Sequence, residues 1–149
     1  KAFYDESGWR QHFYGGAFFK IWGAYPVYVG LHDYSQSLVH HIALLNDGAS
    51  LCVFPEGGTT PDGNLRPAKG GTAYLAHETG VAIVPVAFSN NFNISAADFF
   101  LRRRHIAVTF GQPMYVARRT AGITPDECKV EAQKVMDQVA VLLGRVSVG

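Results

Sequence analysis

The sequence predicts an α/β fold with a mostly parallel central sheet flanked by helices. Short apolar segments typical of buried strands alternate with segments whose apolar residues recur at helical spacing. Because single helices join these short strands, the crossovers should be right-handed and the strands parallel. The predicted strands cover about 25–29, 51–54, 81–88 and 105–110. The chain has 149 residues, of which 48% are hydrophobic, so we expect one globular domain over 1–149. Its first residue is Lys1 rather than Met, so we expect truncation on the N-terminal side.

Two helices are predicted between these strands. The first covers about 35–46 and the second about 70–79, where the following Gly80 is typical of a helix end. The first helix has an apolar face. Its residues are Leu38, Ile42 and Leu45. His40 and His41 lie beside that face, and we expect both to be solvated or hydrogen-bonded surface groups.

The last predicted helix has the clearest start signals in the chain. Thr124 is a natural N-cap, Pro125 fits the first helical position, and Glu127 lies where a capping box places its carboxylate. Apolar residues then recur at steps of three and four, which is typical of a stripe facing a core. They are Cys128, Ala132, Val135, Val139 and Leu142.

Composition argues against several classes of function. The formal net charge is +1 and the only tight basic run is 102–104, so we expect no nucleic-acid partner. Cys52 and Cys128 provide neither metal spacing nor a disulfide framework, and we expect both to be packing residues, Cys52 in a buried strand. No metal or cofactor is expected. No apolar run approaches the ~18–20 residues that span a bilayer.

A glycine-rich loop, FPEGGTTPDGNLRPAKGG at 54–71, is the most informative segment for function. It places the carboxylate of Glu56 in a turn between a predicted strand and a predicted helix. In open α/β sheets ligands bind beyond the carboxyl ends of strands, and helix N–H groups favour anions there. A phosphate-binding P-loop would need lysine where Asn64 stands, so we expect a small-molecule site that does not bind nucleotides.

The same loop resembles that of the glycerolipid acyltransferase family, typified by lysophosphatidic acid acyltransferase. The resemblance covers about 18–145 and includes 23–29 and 111–113. Its most specific part is the FPEG tetrapeptide at 54–57, with IVPV following at 83–86. Between the two stand Thr60, Asp62, Gly63, Pro67, Lys69 and Gly71.

The resemblance implies transfer of a fatty acyl group from acyl-CoA or acyl-carrier protein to the hydroxyl of a lysophospholipid or related glycerolipid, in phospholipid biosynthesis. It also implies peripheral attachment to the cytoplasmic side of a membrane. In the family the FPEG glutamate and nearby backbone groups hold the acceptor head group, and basic residues hold phosphate. The implied substrate-binding residues are Glu56, Gly57, Gly58, Thr59, Thr60, Arg66 and Lys69. A simpler role for Glu56 is to accept backbone N–H groups within the loop.

Three departures from the family pattern bear on catalysis and substrate. The family's general base is the histidine of an HxxxxD motif, yet no histidine here is followed five positions later by aspartate. We expect that motif upstream of Lys1; the alternative is a non-catalytic lipid-binding relative. No basic residue closes the strand near Val29, and GTT at 58–60 replaces Thr-Arg-Ser. A lysophospholipid with a larger head group, or another lipid alcohol or amine, therefore stays open as the acceptor.

Two apolar segments have alternative explanations. The aromatic residues of the first segment could line an acyl groove, face a bilayer, or form core. They are Phe3, Tyr4, Trp9, Phe13, Tyr14, Phe18, Phe19 and Trp22. In the second segment, Phe99, Phe100 and Leu101 precede the basic run 102–104. This segment is either a membrane-surface contact or a charged turn before a strand.

Overall fold

The computed structural model describes residues 33–58 and 60–144. The chain divides into two compact units between Leu51 and Cys52, and each unit is described by itself. The predicted strand at 25–29, the aromatic residues of 3–22 and Thr59 lie outside the described residues. The expectation of a single domain stays a prediction.

The described part of the first unit contains two helices, α1 (Tyr34–Ser37) and α2 (Val39–Asn46). The prediction of one continuous helix is wrong because Leu38 leaves helical geometry, with φ −116° and ψ 9°. His41 lies three residues after the buried Leu38, a spacing that places the two residues on the same side of a helix. His40 is exposed as predicted, but His41 is buried, so its assignment to the surface is wrong.

The second unit contains the remaining helices and strands of the described chain. They are α3 (Gly71–Thr79), β1 (Val86–Ser89), α4 (Ala96–Phe100), β2 (Ala107–Phe110) and α5 (Pro125–Leu142). β1 and β2 pair antiparallel, and an isolated antiparallel bridge between Ile83 and Met114 lies beyond them. The mixed α/β class is therefore confirmed. The described strand pair is antiparallel, and the predicted parallel central sheet stays a prediction.

The strand predictions need correction at three places. Residues 51–54 form no strand in the described structure, and Cys52 is exposed rather than buried. The predicted strand at 81–88 is shorter and shifted, because Pro85 has no N–H to donate to a ladder. Its carbonyl still accepts the N–H of Gly111 at 2.8 Å, just before β1 begins. The strand predicted at 105–110 begins two residues later, at Ala107.

The short helix α4 was not predicted, although its start has a local cause. Asp98 accepts the hydroxyl of Ser95 at 2.7 Å and the Ser95 N–H at 3.2 Å. In return the Ser95 hydroxyl accepts the N–H of Asp98 at 3.0 Å. This reciprocal pattern is the one a capping box uses to satisfy free N–H groups at a helix start.

The long helix α5 confirms its predicted start and its predicted stripe. Glu127 accepts the N–H of Thr124 at 2.8 Å, and Thr124 Oγ1 accepts the N–H of Glu127 at 3.3 Å. Cys128, Ala132 and Val135 of the stripe are buried. Desolvation raises the pKa of the Cys128 thiol to about 11. The thiol is therefore protonated at neutral pH.

The core of the second unit lies where α5 packs against α3 and β1. Its small residues let these elements approach closely. The buried apolar side chains are Ala73, Leu75, Ala76, Ala87, Cys128, Ala132, Val135 and Met136. Of the strand pair only Ala87 is buried, and all four residues of β2 are exposed. Directly opposed residues share a face, so Ala87 lies with Thr109 on one face of the pair. The other face carries the opposed pairs Val86–Phe110 and Phe88–Val108, and three of these four side chains are exposed.

Replacing Thr124 with alanine should destabilise the unit by about 1 kcal/mol, because the N–H of Glu127 loses its capping acceptor. We expect thermal unfolding to shift down by about 4 °C, measured by circular dichroism. The control is Thr124→Ser, which keeps the hydroxyl and should retain wild-type stability. Equal losses in both variants would contradict the capping role.

Candidate functional site

The glycine-rich loop begins with a tight turn. The N–H of Gly57 donates to the Phe54 carbonyl at 3.0 Å, and Gly57 has φ +65°, a conformation that glycine adopts without strain. At the far end of the loop, the N–H of Lys69 donates to the Pro55 carbonyl at 2.8 Å. The two ends of the loop are therefore joined by one backbone hydrogen bond just before α3 begins.

The side chain of Glu56 also joins the two ends of the loop. Its Oε2 accepts the N–H of Arg66 at 2.7 Å, ten residues further along the chain. This is the simpler role that the sequence left open for the FPEG glutamate. A carboxylate that accepts a backbone N–H forms a charge-assisted bond, stronger than a neutral one. In the described structure Glu56 is thus a positioning residue for the loop.

The side chain of Lys69 lies across Gly57. A Cβ atom at position 57 would lie 2.7 Å from Lys69 Nζ and 2.8 Å from its Cδ and Cε, so any larger residue would require the lysine side chain to move. Lys69 is exposed, and no carboxylate of the described residues forms an ion pair with it. The FPEG turn therefore holds a cation that has no counter-charge among the described residues.

Arg66 brings a second cation to the next glycine. A Cβ atom at Gly58 would lie 3.4 Å from Arg66 Nη1. Two successive glycines are thus flanked by an ammonium and a guanidinium, both from the returning segment of the loop. Phosphate and carboxylate groups are the natural ligands of such a pair, since guanidinium matches their oxygens and ammonium supplies a point charge.

The side chain of Thr60 forms a hydrogen bond within the loop. Its hydroxyl donates to Asp62 Oδ1 at 2.8 Å, and Asp62 also accepts the N–H of Asn64 at 3.0 Å and its Nδ2 at 2.8 Å. These bonds, chiefly those from the Asn64 side chain, lower the pKa of the Asp62 carboxyl to about 2. The structure therefore places Thr60 in a turn that shapes the loop. Thr59 lies outside the described residues.

Two anchors of the site were missed by sequence reasoning. Gln133 of α5 accepts the N–H of Ala68 at 3.1 Å, next to Lys69 and across 65 residues of chain. Gln133 itself donates to Asp137 Oδ1 at 3.0 Å. No sequence signal separates Gln133 from the other polar residues of α5, because long-range partners are not encoded in helical periodicity.

The second anchor, His77, is a buried residue of α3. Its Nε2 accepts the N–H of Arg119 at 3.0 Å, so its proton is assigned to Nδ1, which donates to Glu78 at 3.0 Å. Arg119 also pairs with Glu127 in the first turn of α5. These bonds tie α3, which follows the loop, to the segment that leads into α5.

Two negative observations apply to the described residues. No three His, Cys, Asp or Glu side chains among them come together as a metal-binding set. None of the helices in that part of the chain combines the length and the apolar character needed to cross a bilayer.

Comparison with known proteins gives one family. The family model described as Acyltransferase matches residues 10–89, which is more than half of the chain. The chain is 30% identical over 99 residues to the chloroplastic 1-acyl-sn-glycerol-3-phosphate acyltransferase BAT2 of Brassica napus, covering 65% of this chain and 28% of that protein. It is 30% identical over 107 residues to 1-acyl-sn-glycerol-3-phosphate acyltransferase alpha of Homo sapiens, covering 70% and 36% respectively.

These relatives are longer proteins, of which the chain spans about a third or less. No solved structure matches the chain. The matched region includes the FPEG turn, the loop with Arg66 and Lys69, and α3, which are the parts described above. The chain belongs to the glycerolipid acyltransferase family.

Proposed function

We propose that the protein transfers a fatty acyl group from acyl-CoA or acyl-carrier protein to the hydroxyl of a lysophospholipid, in phospholipid biosynthesis. The observation that carries this proposal is the position of Lys69 against Gly57, without a described counter-charge, in a chain of this family. A lysophospholipid carries a phosphate, which such a cation can neutralise. The relatives are named for 1-acyl-sn-glycerol-3-phosphate as acceptor.

The loop would act by binding and orienting the acceptor. Lys69 and Arg66 would contact the phosphate, while the lack of side chains at Gly57 and Gly58 lets the head group approach the backbone. Glu56 would keep both cations in place through the Arg66 N–H. Fixing the acceptor in this way lowers the entropic part of the barrier to acyl transfer.

The chemical step needs a base. The acceptor hydroxyl must lose its proton as its oxygen attacks the thioester carbonyl carbon, and the thiolate then leaves. We propose that this base is the histidine of an HxxxxD motif in the longer protein, as the family resemblance implies. The source sequence upstream of Lys1 tests this directly.

The acceptor and the location are further parts of the proposal. GTT at 58–60, in place of Thr-Arg-Ser, supports a lysophospholipid whose head group can be larger than a bare phosphate. Because the acceptor is a lipid, we propose that the protein works as a peripheral protein on the cytoplasmic side of a membrane.

The function is tested with Lys69→Met in the full-length protein. We expect KM for an anionic lysophospholipid to rise about tenfold, because a charge-assisted contact to phosphate contributes roughly 1.5 kcal/mol. The assay follows transfer of a radiolabelled acyl group, and kcat should change little. The matched control is Lys134→Met, an exposed lysine of α5 that pairs with Glu131.

Two results would contradict the proposal. An unchanged KM in Lys69→Met would remove Lys69 from the acceptor site. A wild-type protein that binds lysophospholipid yet transfers no acyl group would instead be the non-catalytic lipid-binding relative, which is the competing hypothesis.

A further inference from the structure

A second surface of the protein combines exposed apolar side chains with arginines. It covers residues 100–106, from the last residue of α4 to the segment before β2. Phe100 is 79% exposed, Leu101 60% and Ile106 43%. Large apolar side chains that are exposed so close together in the chain are unfavourable in water, and such surfaces are candidates for contact with a partner.

The arginines of this surface differ in their hydrogen bonds and ion pairs. Arg104 donates to the Phe92 carbonyl at 2.8 Å and so serves the local structure. Arg102 and Arg103 form no ion pair with any carboxylate in the described part of the chain. The nearby carboxylate, Asp98, is already bound by Ser95 at the start of α4.

Arg102 and Arg103 lie in a turn with a defined backbone conformation. The N–H of Arg103 donates to the Asp98 carbonyl at 3.0 Å, and Arg102 has φ +50°, which is uncommon for a residue with a side chain. A depression of about 650 Å³ adjoins this turn. Its lining includes Ile94, Phe100, Arg102 and Ile106. Charge and apolar surface are thus interleaved within one short segment.

We propose that the surface 100–106 binds the face of an anionic lipid bilayer. Phe100, Leu101 and Ile106 would insert at the boundary of head groups and acyl chains, and Arg102 and Arg103 would pair with lipid phosphates. This inference rests on the proposed function, since it supplies the surface from which a lipid acceptor is taken. An acidic carrier protein would satisfy the arginines but gives less reason for three large apolar side chains to be exposed within seven residues of chain.

The test is co-sedimentation of the full-length protein with vesicles of phosphatidylcholine containing or lacking phosphatidylglycerol. Each basic residue near an anionic surface strengthens binding about fivefold, so R102Q/R103Q should weaken binding to the anionic vesicles about 30-fold. Phe100→Ser should weaken binding to both kinds of vesicle. The control is R118Q/K134Q, which removes the same charge elsewhere and should bind like wild type.

Acyl transfer to a short-chain lysophospholipid dissolved as monomers separates this inference from the proposed function. R102Q/R103Q should keep that activity. If it sediments like wild type, or if R118Q/K134Q weakens binding equally, the inference is overturned. It is also overturned if R102Q/R103Q loses binding to an acidic carrier protein but still binds vesicles like wild type. Normal vesicle binding by a wild-type protein without transferase activity would overturn the proposed function alone.

Discussion

Gly57→Ala should lower the free energy of unfolding by about 1–2 kcal/mol and reduce acyl transfer beyond what that loss explains. Gly57 has φ +65°, and a left-handed conformation costs a residue with a Cβ about that much. The new Cβ would also occupy the space of the Lys69 side chain, 2.7 Å from Nζ. Displacing that cation should lower kcat/KM at least about tenfold, measured where the variant is fully folded.

The adjacent Gly58 provides the matched control. It does not have the left-handed φ of Gly57, and a Cβ there would lie 3.4 Å from Arg66 Nη1, an ordinary contact. Gly58→Ala should therefore keep stability within about 0.5 kcal/mol of wild type. If urea unfolding gives the same midpoint for both variants, the left-handed conformation of Gly57 does not determine the stability of the turn.

Ala132→Leu should be the most destabilising of the substitutions considered, at about 3 kcal/mol. Ala132 is fully buried on the side of α5 that faces the core, and three added carbons would overpack it. Because α5 carries Gln133, which accepts the N–H of Ala68, a shifted helix should also loosen the loop. We expect a lower urea midpoint together with a lower kcat/KM in the remaining folded protein.

The control is Val130→Phe on the same helix, which adds a larger side chain at an exposed position and so tests whether added size alone destabilises α5. Val130 is 59% exposed, so the larger ring should change stability by no more than about 0.5 kcal/mol. Equal destabilisation by both substitutions would mean that α5 does not pack through Ala132. Normal acyl transfer by folded Ala132→Leu would mean that the bond from Ala68 to Gln133 is dispensable.

The parts of the fold that the sequence predicts well are those with local causes. Thr124, Pro125 and Glu127 start α5 through contacts within four residues, and Gly80 ends α3 with φ +74°. The FPEG turn was likewise predicted to lie before a helix, because proline restricts the backbone there and glycine adopts turn conformations without strain. In each case the residues that determine the structure are neighbours in the chain.

Predictions that depended on distant partners were less successful. Residues 51–54 look like a buried strand by composition, but strand formation needs a paired neighbour, and Phe54 is 70% exposed. The roles of Gln133 and His77 depend on backbone groups 65 and 42 residues away. In the candidate site, the sequence predicted Glu56, Arg66 and Lys69 and left open a backbone N–H partner for Glu56, but it did not predict the bond from Ala68 to Gln133.

The dependence of the loop on α5 affects the order in which the protein can be assembled during synthesis. Gln133 is synthesised 65 residues after Ala68. At ordinary rates of translation this is a delay of roughly 3–13 s. During that time α3 has no α5 to cover Ala73 and Ala76. The glycine-rich loop is therefore completed late, and the nascent chain exposes an apolar helix face on which a chaperone can act.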